Sequence, residues 1–175
     1  MAVIINGDTG IDKITDGSVV AADIGAGEVT QAKLASGVAG TGPAFSATSS
    51  ANTSASSGVS TKLVLNTEQF DTNSNFDNAT NYRFTPTVAG YYQINAILIS
   101  PSNATATVAD IYKNGSTYVS TVFYHPTTGV TQRFPISALI YLNGSTDYVE
   151  LYGLQNGGTV LGAGSMMNGV LVKAV

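Results

Sequence analysis

Between residues 108–113 and 116–122, two runs of strand-forming residues, sits the dipeptide Asn114-Gly115. That pair accepts the positive φ angles that a tight type I′ hairpin requires at both central positions, so the two flanking runs are tied into an antiparallel ladder. Residues 138–142 and 147–152 flank Asn143-Gly144-Ser145-Thr146 and are expected to pair in the same manner. In residues 91–98, Tyr92, Ile94, Ala96 and Leu98 fall on one side and Tyr91, Gln93, Asn95 and Ile97 on the other, the period of a strand with one face buried. Residues 167–175 read as a last strand. Charged residues are only 10% of the chain and no long amphipathic helix is visible, so these strands must pack against one another. The expected class is all-β, a sandwich or jelly roll.

Every Tyr and Phe lies at Phe45 or later, and the composition changes near Gly40-Thr41-Gly42-Pro43. Two regions follow: an arm, 1–42, and a head domain, 43–175. The arm repeats every ten residues, aligning Ile4, Ile14, Ile24 and Leu34, and likewise Gly7, Gly17, Gly27 and Gly37. A Gly in each unit and a spacing that misses the helical period argue for short extended pieces joined by turns. A flexible linker would share the Gly and Ser content, but a linker needs no Ile or Val in register. Ile14, Val19, Ile24, Val29 and Leu34 find no obvious partner within so thin a segment, which makes them the candidate attachment residues.

The stretch Ile14-Thr15-Asp16-Gly17-Ser18-Val19, with the run from Ile24 to Leu34, resembles repeats of bacteriophage tail-fibre and other virion proteins. In the head, four pieces stand in a recognisable order: Phe84-Thr85-Pro86-Thr87-Val88-Ala89-Gly90-Tyr91-Tyr92, Lys113-Asn114-Gly115, Tyr141-Leu142-Asn143-Gly144-Ser145-Thr146-Asp147-Tyr148-Val149 and Met167-Asn168-Gly169-Val170-Leu171. With Pro43-Ala44-Phe45-Ser46-Ala47 before them, they resemble the globular head of complement component one, subcomponent q, whose jelly roll is shared with tumour necrosis factor. The resemblance implies a ten-stranded sandwich that associates as a homotrimer through aromatic and aliphatic residues. Phe84, Tyr92, Tyr148 and Tyr152 are the candidates for that interface, although a sandwich core demands the same residue types. Complement heads follow a collagen stem with Gly at every third position, and here the ten-residue repeat stands in its place. Together the two resemblances imply a phage virion structural protein. It would be a trimeric capsid decoration or cement protein whose arms clamp neighbouring subunits of the major capsid protein, or else a tail-fibre or fibre-tip protein that binds a host surface glycan or protein. Its place would be the outer surface of the virion, after synthesis in the host cytoplasm.

Other functions find little support. The formal charge is −4 and the seven Lys and Arg are scattered, so no basic stripe is present to release counterions from nucleic acid. No apolar run approaches the ~20 residues that span a membrane, and the first residues lack the pattern of a secretory signal. Cysteine is absent, which excludes thiol chemistry. The one histidine, His125, has no flagged nucleophile or orienting acid, and no nucleophile elbow, phosphate loop or zinc helix motif occurs. No enzyme and no cofactor are expected. Asp71, Asn73, Asn75 and Asp77 alternate like the first half of a calcium loop, but Phe76 and Tyr82 stand where such a loop needs Gly and Glu. These four oxygen-bearing residues are expected to cap turns rather than hold a metal.

Overall fold

A computed structural model describes residues 42–100, 104–125 and 130–175. The arm residues Ile14, Val19, Ile24, Val29 and Leu34 lie outside the described residues. Gly42–Val175 forms one compact unit. Its strands in chain order are β1 (Ala44–Thr48), β2 (Thr53–Ser54), β3 (Thr61–Lys62), β4 (Thr67–Asp71), β5 (Phe76–Asp77), β6 (Arg83–Phe84), β7 (Ala89–Ser100), β8 (Ala106–Lys113), β9 (Ser116–Tyr124), β10 (Gln132–Asn143), β11 (Val149–Asn156), β12 (Val160–Leu161) and β13 (Met166–Ala174). Against the ten strands that the resemblance implies, the described residues hold thirteen pieces, eight of which span five residues or more. The other five are two-residue contacts, too short to be read from a pattern of period two.

Two antiparallel sheets carry the architecture. One has the order β10-β7-β13-β1-β4; the other runs β5-β6-β11-β8-β9, with β3 also pairing β11. A small ladder joins β12 to β2. Chain neighbours such as β10 and β11 belong to different sheets, which is what places the core between them. β7 buries Tyr92, Ile94, Ala96 and Leu98 on that side, as its alternation foretells, while β10 contributes Phe134, Ile136, Ile140 and Leu142. The facing sheet supplies Ala109, Ile111, Val149 and Leu151. Each of the larger of these side chains gains roughly 1.5–3 kcal/mol on leaving water, which is the main force holding the sheets together.

Rings organise one end of the core. Phe45 stacks on Phe84 with centroids 4.2 Å apart and on Phe76 at 5.1 Å, and Phe84 meets the edge of Tyr92 at 5.6 Å. The Tyr92 hydroxyl donates to the Val88 carbonyl at 2.7 Å, so its one polar atom is satisfied inside the core. Burial pushes that hydroxyl's pKa up to about 12.

Turn chemistry divides the two Asn-Gly sites. Asn114 and Gly115 both have positive φ, 53° and 77°, and join β8 to β9 as the expected hairpin. At Asn143-Gly144 only the glycine has positive φ, 71°, and the loop carries the chain from one sheet to the other. The hairpin expected there does not form. Instead the Asn143 side-chain oxygen accepts from the N–H groups of Ser145, Thr146 and Asp147, so the residue acts as a cap.

Candidate assembly surface

The five-stranded sheet has a second face, turned away from the core. Strand pairing sets its rows: Leu139, Gln93, Val170 and Ala44 lie side by side, as do Ser137, Asn95, Asn168 and Ser46. Tyr141 stands opposite Tyr91, their rings 5.6 Å apart. Polar side chains in the middle of the face bond to one another. Gln93 Nε2 donates to Asn95 Oδ1, Asn95 Nδ2 donates to Asn168 Oδ1, and Ser46 Oγ donates to Gln69 Oε1, at 3.1–3.2 Å. Around them Tyr91, Leu139, Tyr141, Val170 and Val172 remain 41–61% exposed. Single exposed apolar residues are ordinary, but five on one sheet face form a patch of the kind that marks contact with another protein.

The patch continues over a sheet edge. β10 ends one sheet and β9 ends the other, and Val119, packed on the core, and Thr121 lie near Asn95, Ile97, Pro135 and Met166 around a cavity of about 600 Å³. Tyr118, Val122 and Tyr124 on β9 are 50–81% exposed. β10 is a long edge strand, and such edges invite pairing with another chain. Here the facing sheet covers it: Lys113 Nζ donates to the Tyr141 carbonyl at 2.7 Å and Tyr118 Oη to the Leu139 carbonyl at 3.3 Å. Pro135, with no N–H to offer, completes the protection. The surface therefore offers side chains, not a free strand.

The four aromatics expected at a trimer interface do not meet on one surface. Phe84 and Tyr92 have no exposure at all and belong to the core, so neither can meet a second copy. Tyr148 is half-buried under Arg83, whose guanidinium lies 4.2 Å from the ring centre. Tyr152 is half-buried on the outer face of the six-stranded sheet, stacked on Tyr112 at 3.9 Å. The exposed pair Tyr91 and Tyr141 is not among those four, and the aliphatic residues Leu139, Val170 and Val172 were missed as well. Their signal lay in the alternation itself, because Val170 and Val172 are out of phase with buried Met167 and with Gly169, which packs against Phe45.

The oxygen-rich loop caps itself. Asp71 accepts from the N–H groups of Asn73 and Phe76 at 3.2 and 2.6 Å, and Asn75 Oδ1 accepts from Thr87 N–H. Asp77 accepts from the N–H groups of Ala79, Thr80 and Asn81 and from the Asn81 amide. Those bonds, the Thr80 N–H foremost, hold the Asp77 pKa at about 2. Oxygens turned onto neighbouring amides are not gathered around a cation, and the described residues hold no group of three or more His, Asp or Glu fit for a metal.

His125 ends a buried polar chain. Its Nε2 is 2.9 Å from Thr107 Oγ1, which donates to Ser100 Oγ at 3.0 Å, while Gln155 Nε2 donates to the same oxygen at 2.7 Å. Burial lowers the His125 pKa. Thr107 is fully buried, so no substrate reaches the hydroxyl beside the imidazole. The geometry is that of a satisfied core network.

No known family model matches the sequence, and no curated protein matches it. Solved structures do. The chain is similar to murine APRIL, with a TM-score of 0.59 at 9% identity over 74% of this chain and 98% of that one. It is similar to Eiger TNF from S. frugiperda, with a TM-score of 0.59 at 9% identity over 76% and 92%. It is also similar to the PRD1 vertex protein P5, with a TM-score of 0.56 at 17% identity over 77% and 100%. At such identities the likeness is one of fold: the head is a jelly roll of the tumour necrosis factor type.

Proposed function

We infer that the protein is a structural component of a phage particle and that its head self-associates as a homotrimer through the outer face of the five-stranded sheet. The observation that carries this is the patch of Tyr91, Leu139, Tyr141, Val170 and Val172, which a lone soluble domain has no reason to expose. The sheet face and the β9 surface, with Tyr118, Val122 and Tyr124, are both apolar and sit on different sides of the head, which supports head-to-tail contact; such contact makes a ring where the rotation between copies closes, and a ring of three is the form proposed. A vertex protein among the similar structures fits a place in a particle.

Within the particle the reading is a capsid decoration or cement protein. Three heads would hold three arms together, and the apolar positions Ile14, Val19, Ile24, Val29 and Leu34 of each would bind neighbouring capsid subunits with the gain that multivalency brings. No step in this work requires catalysis, a cofactor, nucleic acid or a membrane. The ten-residue repeat, shared in pattern with tail fibres, favours a second reading as a fibre or fibre-tip protein whose head binds a host surface glycan or protein. Electron microscopy and quantitative mass spectrometry of purified particles separate the two. Hundreds of copies spread over the head support cement; a few copies at the tail support the fibre, as does binding of the protein to host cells.

A further inference from the structure

The outer face of the six-stranded sheet holds one group that the rest of the head leaves unused. β8 turns Ala109 and Ile111 into the core, so Asp110 between them faces the other way. Its neighbours across the ladder are Tyr152 of β11 and Ser120 of β9. Residues directly opposite in a sheet interact through side chains, their Cβ atoms about 5 Å apart. Asp110 is only 6% exposed, and its Oδ1 is buried with no hydrogen-bond partner. Asp71, Asp77 and Asp147, all less buried, each accept two or more hydrogen bonds. Glu150, as deeply buried as Asp110, is paired with Lys62 at 2.8 Å. Asp110 is the exception, and a carboxylate withdrawn from water without a partner is costly to keep.

Two nearby donors are already engaged, and the side chains of Ser120 and Tyr152, directly across the ladder, do not bond Oδ1 either. Lys62, opposite Tyr152, gives its ammonium to Glu150 and to the Asn81 carbonyl. The Tyr112 hydroxyl is 3.2 Å from Ser60 Oγ. The Tyr112 and Tyr152 rings, nearly parallel at 13°, stand on the same face as Asp110. We propose that Asp110, Tyr112 and Tyr152 form a receptor site for one cationic side chain, lysine or arginine, of another protein that docks on this face. Such a group meets the carboxylate from its solvent side and supplies the opposite charge that no described residue provides, and aromatic rings hold a cation against their faces. Burial foremost raises the Tyr152 pKa, with the charge of Glu150 adding to it and that of Lys62 opposing it. This face points away from the five-stranded sheet; of the two surfaces in the assembly reading it adjoins the β9 one, where Ser120 lies between Tyr118 and Val122.

The test is a titration of the full chain with ethylguanidinium and n-butylammonium, followed by NMR at the backbone amides of Asp110, Ser120 and Tyr152. Saturable shifts are expected with both cations and none with methyl glucoside at equal ionic strength. Asp110→Asn keeps the shape and removes the charge; it is expected to weaken cation binding at least about tenfold, a loss of one charge-assisted bond, and to raise the thermal midpoint by a few degrees. The proposal is overturned by an absence of saturable cation shifts, by shifts with the glucoside instead, or by an Asp110→Asn midpoint below that of the unaltered protein, which would reveal an internal partner.

Discussion

Phe45 is pressed between the rings of Phe84 and Phe76 and has no exposure, so its removal leaves a void that neighbouring rings cannot fill without breaking their own contacts. Phe45→Ala is expected to cost about 3–5 kcal/mol of unfolding free energy, measured by urea titration. Asp77 acts by charge. Its folded pKa of about 2 lies below the unfolded 3.8, so its contribution is complete above about pH 4 and is lost as pH falls through about 2. Asp77→Asn should therefore flatten the acid side of the stability curve in that window. Because the group is only partly withdrawn from solvent, the change at neutral pH should be about 1 kcal/mol or less. At this scale the sequence was a fair guide to turns and a poor one to aromatics. The spacing of Asp71, Asn73, Asn75 and Asp77 showed oxygens placed to cap, and all but Asn73 do, which accepts from the Thr72 hydroxyl instead. Phe84 and Tyr92 could not be told from interface residues, because a core and a threefold axis select the same rings. Only burial within a single chain separates them.

Strand β7 was legible because twelve residues hold one alternation and its two faces differ in polarity. The loop after β10 was not. Asn143-Gly144 has the composition of a hairpin turn, but whether β11 returns to pair β10 or crosses to the other sheet is decided by contacts far along the chain, with β8 on one side and β3 and β6 on the other. The protection of the β10 edge is equally long-range. Lys113 and Tyr118 lie in strands of the facing sheet, and nothing local marks them as covers. Lys113 also meets Asp147 at 3.0 Å, and this ion pair is only partly shielded from water. Lys113→Met is expected to lower stability by about 1 kcal/mol. Combined with Tyr118→Phe it should uncover two carbonyls on a long edge, and light scattering on warming should then rise at a lower temperature than for the unaltered protein.

For the whole molecule, the decisive quantity is what the outer sheet face does in solution. Placing a charge in the patch leaves the core untouched, since Leu139 and Val170 are about half exposed in the single head. Leu139→Asp with Val170→Asp should give a folded monomer by sedimentation, with the circular dichroism of the unaltered protein. In an assembled trimer the same carboxylates would be buried without partners, and that penalty exceeds what the remaining contacts supply. If the double variant stays trimeric, the interface lies elsewhere. Removal of residues 1–42 asks the complementary question, because the head carries every aromatic residue and the whole of the described core. The shortened chain is expected to sediment as a trimer and to lose binding to particles that lack the protein, whereas the double variant keeps its arm and should bind them only as weakly as a single arm allows. The ratio of the unaltered protein's affinity to that of the double variant then measures the avidity that trimerisation contributes. A shortened chain that still binds particles would move attachment from the arm to the head, and with it the face that carries Asp110.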